Sequence, residues 1–165
     1  MAPTDDSERR ELLDHALIPV AHEDDALATA RALEPYGPDR VTAVHVVEKG
    51  QGVPDKTPVE QSKEMAAASF SAVEEVFPEA GAEIAYGRDV VEAIFETADD
   101  VDATAIAYRP REGNRLIRAL TGDLSLRLVT ESPIPVIGLP DPHAEDADEA
   151  EDAGDGSDDG DDTDG

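Results

Sequence analysis

Between Leu17 and Leu139, short apolar runs of strand type alternate with longer stretches whose apolar residues recur at helical spacing. This alternation predicts a parallel sheet with crossover helices. Strand-like runs fall at 16–20, 41–47, 82–86, 103–108 and 134–139. After the first run, Glu23, Asp24 and Asp25 suit the positive end of a helix on which Ala26, Leu27, Ala30 and Leu33 share a face.

Two further helix starts carry capping signals. Thr57, Pro58 and Glu60 give a capping Thr, a Pro at the first helical position and a Glu three residues after the cap. Ala66, Phe70, Val73 and Phe77 then lie along one face, with Pro78 and Gly81 marking the end. Asp89 and Glu92 repeat the cap-plus-three spacing before Val91, Ile94, Phe95 and Ala98. The last helix carries Leu124 and Leu128, and it follows an Arg-rich loop from Arg109 to Arg118.

With 165 residues the chain has room for one core. The predicted organisation is an extension over 1–14, an α/β domain over 15–140 and a tail over 141–165. That tail holds 13 acidic residues and no Lys or Arg, and it cannot bury enough surface to offset its ordering entropy. Its Asp155-Gly156-Ser157-Asp158-Asp159-Gly160 run lacks the flanking helices and closing Glu of a calcium loop, so only weak cation association is expected of it.

Acidic residues number 40 against 13 basic ones, ten of them Arg and three Lys, and residues 1–140 alone carry 27 acidic groups. The excess is therefore spread over the folded part too. Two readings remain, a surface adapted to molar salt and a basic partner. Salt near 1 M shortens the Debye length to about 3 Å and screens the self-repulsion of such a surface. Duplex nucleic acid, which needs a basic face, is not an expected partner.

There is no cysteine, hence no disulfide or thiolate chemistry. The charged start and the lack of a long apolar run predict a cytoplasmic protein without a membrane segment. His15, His22, His45 and His143 are scattered, so no metal site is expected; His45 is read as a packed strand residue and His22 as a loop residue near a crevice. No nucleophile elbow, Walker loop, dinucleotide turn or zinc-protease helix is present, which points away from catalysis.

Several features resemble the universal stress protein family over about residues 15–139. They are a proline-containing first strand, Val44-His45-Val46-Val47 closing the second, Gly87 after the third, Leu120-Thr121-Gly122 before the last helix and Ile134-Pro135-Val136-Ile137 at the end. The resemblance implies a doubly wound five-stranded parallel sheet in order 3-2-1-4-5, like that of adenine nucleotide alpha hydrolases. It also implies a homodimer through the edge formed by the last strand.

In nucleotide-binding members of that family an Asp follows the first-strand proline by two residues, and a Gly-x-x-Gly-x(9)-Gly-Ser/Thr motif cradles the phosphates. Here the Asp position falls on Ala21, the glycines on Arg109, Glu112 and Gly122, and the Ser/Thr on Asp123. Pro19 and Val46 match, and Gly113 lies one place from the second glycine. A carboxylate at Asp123 would satisfy the helix terminus internally and repel a triphosphate.

Against this stands the cluster Arg109, Arg111, Arg115 and Arg118, well shaped for phosphate or carboxylate and equally able to pair with nearby acids. The sequence thus predicts a non-catalytic stress-response protein with no cofactor and an unidentified regulatory partner, not binding ATP in the usual way. The alternative is a small-molecule module holding a nucleotide or other anion through the Arg-rich loop. Its candidate crevice is Pro19, Ala21, His22, Val46, Arg109, Arg111, Gly113, Arg115, Gly122 and Asp123.

Overall fold

The computed structural model describes residues 11–49, 56–110 and 123–140. Five strands form one parallel sheet: β1 (Ala16–Pro19), β2 (Val41–Glu48), β3 (Gly81–Gly87), β4 (Ala105–Tyr108) and β5 (Val136–Gly138), in the order β3-β2-β1-β4-β5. The register pairs Ala16 with both Val41 and Ala105, which sets β1 at the centre. Residues 1–10, 50–55, 111–122 and 141–165, and with them the expected tail and most of the Arg-rich segment, lie outside the described residues.

Helices α1 (Glu23–Leu33) and α2 (Lys56–Val76) pack on one face; α3 (Val90–Asp100) and α4 (Asp123–Glu131) pack on the other. Adjacent residues of β1 feed opposite layers. Ile18 joins Ala30, Leu33 and Val73, and Leu17 joins Val44, Ile94, Ile106 and Leu128. A central parallel strand buried on both sides must be apolar throughout, which explains the unbroken Ala16-Leu17-Ile18 run. Burial of Leu17 and Ile18 is worth about 1.5–3 kcal/mol each.

Local chemistry sets the element ends. Asp89 caps α3 by accepting from the N–H groups of Val91 at 2.9 Å and Glu92 at 3.2 Å. Helix α1 has no side-chain cap, and its acidic first turn faces the dipole instead. It runs into a 3-10 turn, Glu34–Tyr36, which Gly37 ends at φ +61°, a conformation that strains any residue with a Cβ.

Several boundaries differ from those the sequence suggests. β5 is shorter than 134–139, because Pro135 has no N–H and can only accept, as it does from the Ile106 N–H at 2.9 Å. β4 starts at Ala105, since the N–H groups of Thr104 and Ala105 both turn to the His15 carbonyl. α2 begins at Lys56, so Thr57 lies within the helix instead of preceding it.

Residues 11–14 are tied to the domain. The Thr104 hydroxyl donates to the Leu12 carbonyl at 3.0 Å, Asp39 N–H donates to the Leu13 carbonyl, and Leu13 packs on the α1/α2 core. Among the described residues no helix is long and apolar enough to cross a membrane.

Candidate functional site

In an open α/β sheet, ligands bind beyond the carboxyl ends of the strands where the order reverses, and here β1 lies between β2 and β4. A cavity of about 390 Å³ opens at that end. The exit of β1 supplies Pro19, Val20, Ala21 and His22, and the end of β2 supplies Val44, His45, Val46, Val47 and Glu48. Val59, Ser62 and Met65 approach from α2, Val90 and Ile94 from α3, and Leu124 from the first turn of α4. Asp25 of α1 completes the lining.

The walls are chiefly apolar, and the polar groups are two imidazoles, the Ser62 hydroxyl and the carboxylates of Asp25 and Glu48. No Lys or Arg is among the described residues that line it.

Four sequence-predicted residues, Pro19, Ala21, His22 and Val46, line this cavity together. Arg109 follows β4, with its side chain only 5 % exposed and its Nη2 3.7 Å from Asp25 Oδ1. That contact joins the end of β4 to the first turn of α1. Arg111, Gly113, Arg115 and Gly122 fall outside the described residues, as does the side chain of Asp123, whose backbone opens α4.

Sequence reasoning treated His45 as packing alone. It is packed, 5 % exposed, with Nδ1 3.1 Å from the Val20 carbonyl oxygen, yet it also forms part of the cavity wall. Burial holds its pKa below the ordinary imidazole value, the Val20 carbonyl opposes that shift, and neighbouring His22 adds to it. Ser62 and Met65 were missed as well. The available signal was the 59, 62, 65 spacing on α2, which puts three residues on one helical face.

The second wall of the crevice is moored from behind. Arg127 of α4 donates from Nη1 to Asp89 Oδ1 at 3.2 Å and from Nε and Nη2 to Glu131. Asp89 is held below the usual carboxylate range first by the Arg127 hydrogen bond; burial opposes the shift, and the Glu92 and Val91 amides and the Arg127 charge add to the lowering. α3 and α4, which contribute Val90, Ile94 and Leu124 to the cavity, are thereby fixed to each other. A smaller cavity of about 280 Å³ between β3 and α3, edged by Glu83, Glu96 and Asp100, is remote from the reversal.

No protein-family model and no curated protein matches the sequence. Solved structures do. A universal stress protein from Archaeoglobus fulgidus in complex with dAMP has a TM-score of 0.55 at 23 % identity, over 76 % of this chain and 96 % of its own. A protein of the universal stress protein family from Burkholderia pseudomallei has a TM-score of 0.57 at 16 % identity, over 80 % and 99 %. A universal stress protein in complex with cAMP has a TM-score of 0.54 at 14 % identity, over 77 % and 97 %. The chain has the universal stress protein fold. The strand order and the helices on both faces are thus those expected from the sequence resemblance, and the fold covers nearly the whole of each similar structure.

Proposed function

We propose that the chain is a regulatory universal stress protein, non-catalytic, that has lost the usual triphosphate site and keeps a ligand crevice of different character. The observation that carries this is the charge of the crevice. Its described lining holds Asp25 and Glu48 and no cation, Ala21 stands at the family's Asp position, and the Arg109 side chain faces Asp25. A triphosphate brought there meets the half-buried carboxylate of Asp25 and the exposed one of Glu48, and like charges repel.

Titration of the protein with ATP and Mg²⁺ at molar salt, followed by calorimetry, tests this. No micromolar heat is expected, whereas a micromolar response lost in Arg109→Ala would overturn the reading.

The second reading, a nucleotide or anion held through the 109–118 loop, draws support from the relatives solved with dAMP and cAMP. A monophosphate places less charge at the mouth, so binding of AMP without ATP would favour it. Both readings share two further proposals. The protein works in the cytoplasm of a salt-accumulating cell, in keeping with its formal charge of −27. It also forms a homodimer through β5, an open edge whose Val136 and Ile137 need cover or a partner.

A further inference from the structure

At the amino ends of the strands, opposite the crevice, a buried imidazole joins β1, β2 and the approach to β4. His15, 3 % exposed, stands immediately before β1. Its Nε2 lies 2.7 Å from Thr42 Oγ1 on β2, its backbone N–H donates to Thr104 Oγ1 at 2.9 Å, and its carbonyl accepts from the Thr104 N–H at 2.8 Å. A Cβ on Gly81, which opens β3, would stand 3.0 Å from Thr42 Oγ1, so that hydroxyl is hemmed in. Nδ1 is buried and has no hydrogen-bond partner among the described residues. A neutral imidazole has one hydrogen, and Thr42 is the partner in place for it, so Nδ1 keeps a bare lone pair.

The segment before this ring is lightly held. Leu12 is exposed, and Leu13 is the apolar anchor, packed on the α1/α2 core. The Leu12 carbonyl accepts from the Thr104 hydroxyl, and the Leu13 carbonyl from the Asp39 N–H. So small an apolar contact belongs to the low-stability end of a fold.

We propose that His15 is an acid-sensitive latch on residues 11–14. A second proton puts an N–H at buried Nδ1 with no aligned acceptor, and a charge where the ring has little water. The ring then leaves its slot, the Thr104 contacts go with it, and the segment detaches while the sheet stays folded. Burial resists that proton most and Arg40, before β2, adds to the resistance; the Val101 and Asp102 carbonyls and the Asp102 carboxylate, before β4, oppose it. Asp14 of the same segment is engaged with the Glu11 N–H, and Asp39 is exposed. The latch is therefore fully closed above the ordinary imidazole value of about 6.5 and opens as pH falls below it, until the closed ring itself is protonated.

Amide hydrogen exchange, read by NMR on the full chain at molar salt from about pH 7.5 to about pH 5 and corrected for the intrinsic pH dependence of exchange, tests this. Protection of the His15 and Asp39 N–H groups should fall by up to about tenfold per pH unit, the limit for one proton, while that of the Ile106 N–H, bound to Pro135 within the sheet, holds. His15→Gln has no proton to gain and should flatten the profile. Arg40→Gln should make it shallower, because the closed ring then gains its proton nearer the ordinary value. The wild-type profile decides even where a variant folds poorly.

Protection at His15 and Asp39 that stays constant across this range, or that rises because the new N–H pairs with Val101 or Asp102, would overturn the latch. A parallel loss at Ile106 would overturn it too, since the whole fold and not the segment would then be opening.

Discussion

Arg127 on α4 reaches Asp89 at the start of α3, Nη2 to Oδ2 at 3.0 Å, while the other oxygen of the same carboxylate accepts two α3 amides. One side chain thus caps a helix and moors its neighbour, and both helices border the crevice. Asp89→Ala should lower stability by about 1–2 kcal/mol, the usual loss for a deleted cap, read as a shift in the urea midpoint. Asp89→Asn keeps the cap geometry and should lose less. Since the folded pKa of Asp89 is depressed, its contribution is complete above the ordinary carboxylate value and disappears as pH falls through the folded value.

Two buried histidines make an opposite-looking group behave alike. His15, with Nε2 2.7 Å from Thr42 Oγ1, and His45 both have pKa values lowered first by burial; nearby Arg40 adds to the effect at His15. The unfolded chain binds protons on these rings at a higher pH than the folded one, so stability rises with pH across that window. Urea midpoints should be constant above about pH 7 and fall as pH drops below the unfolded imidazole value of ~6.5. A midpoint that rose on acidification through this window would contradict the burial of both rings.

Leu17 is fully buried at the centre of the sheet, whereas Leu126 on α4 is 59 % exposed. Leu17→Ala should cost about 2–5 kcal/mol and Leu126→Ala within ~0.5 kcal/mol. Chemical denaturation of the two variants measures the contrast, and comparable losses would mean that α4 is covered in solution.

Dilution of salt tests the meaning of the acidic surface. Self-repulsion grows as screening is removed, so the melting temperature should fall steadily from molar salt to about 0.1 M, where the Debye length is ~10 Å. A melting temperature unchanged down to that salt would contradict the reading of the acidic surface as one that depends on molar salt.

Much of the fold was legible because the physics was local. Unbroken apolar runs such as Ala16-Leu17-Ile18 announce central parallel strands, and Asp89 with Glu92 announces a capped helix that the structure places at the same residues. The shortening of β5 was less legible, since it depends on where Pro135 meets Ile106 across the sheet. The site divides in the same way. Pro19, Ala21, His22 and Val46 follow from strand order, because everything at the end of β1 or β2 borders the reversal. The dual character of His45 and the Arg109–Asp25 contact depend on side-chain direction between elements distant in the chain, which periodicity does not encode.

The most direct measurement is of what the protein already carries. Protein purified from its own cells at molar salt, denatured and extracted, should release no ATP or ADP in an amount approaching one molecule per chain when the extract is separated by chromatography. Release of about one adenine nucleotide di- or triphosphate per chain would contradict the account, because the crevice would then hold the phosphate chain that its carboxylates are argued to exclude.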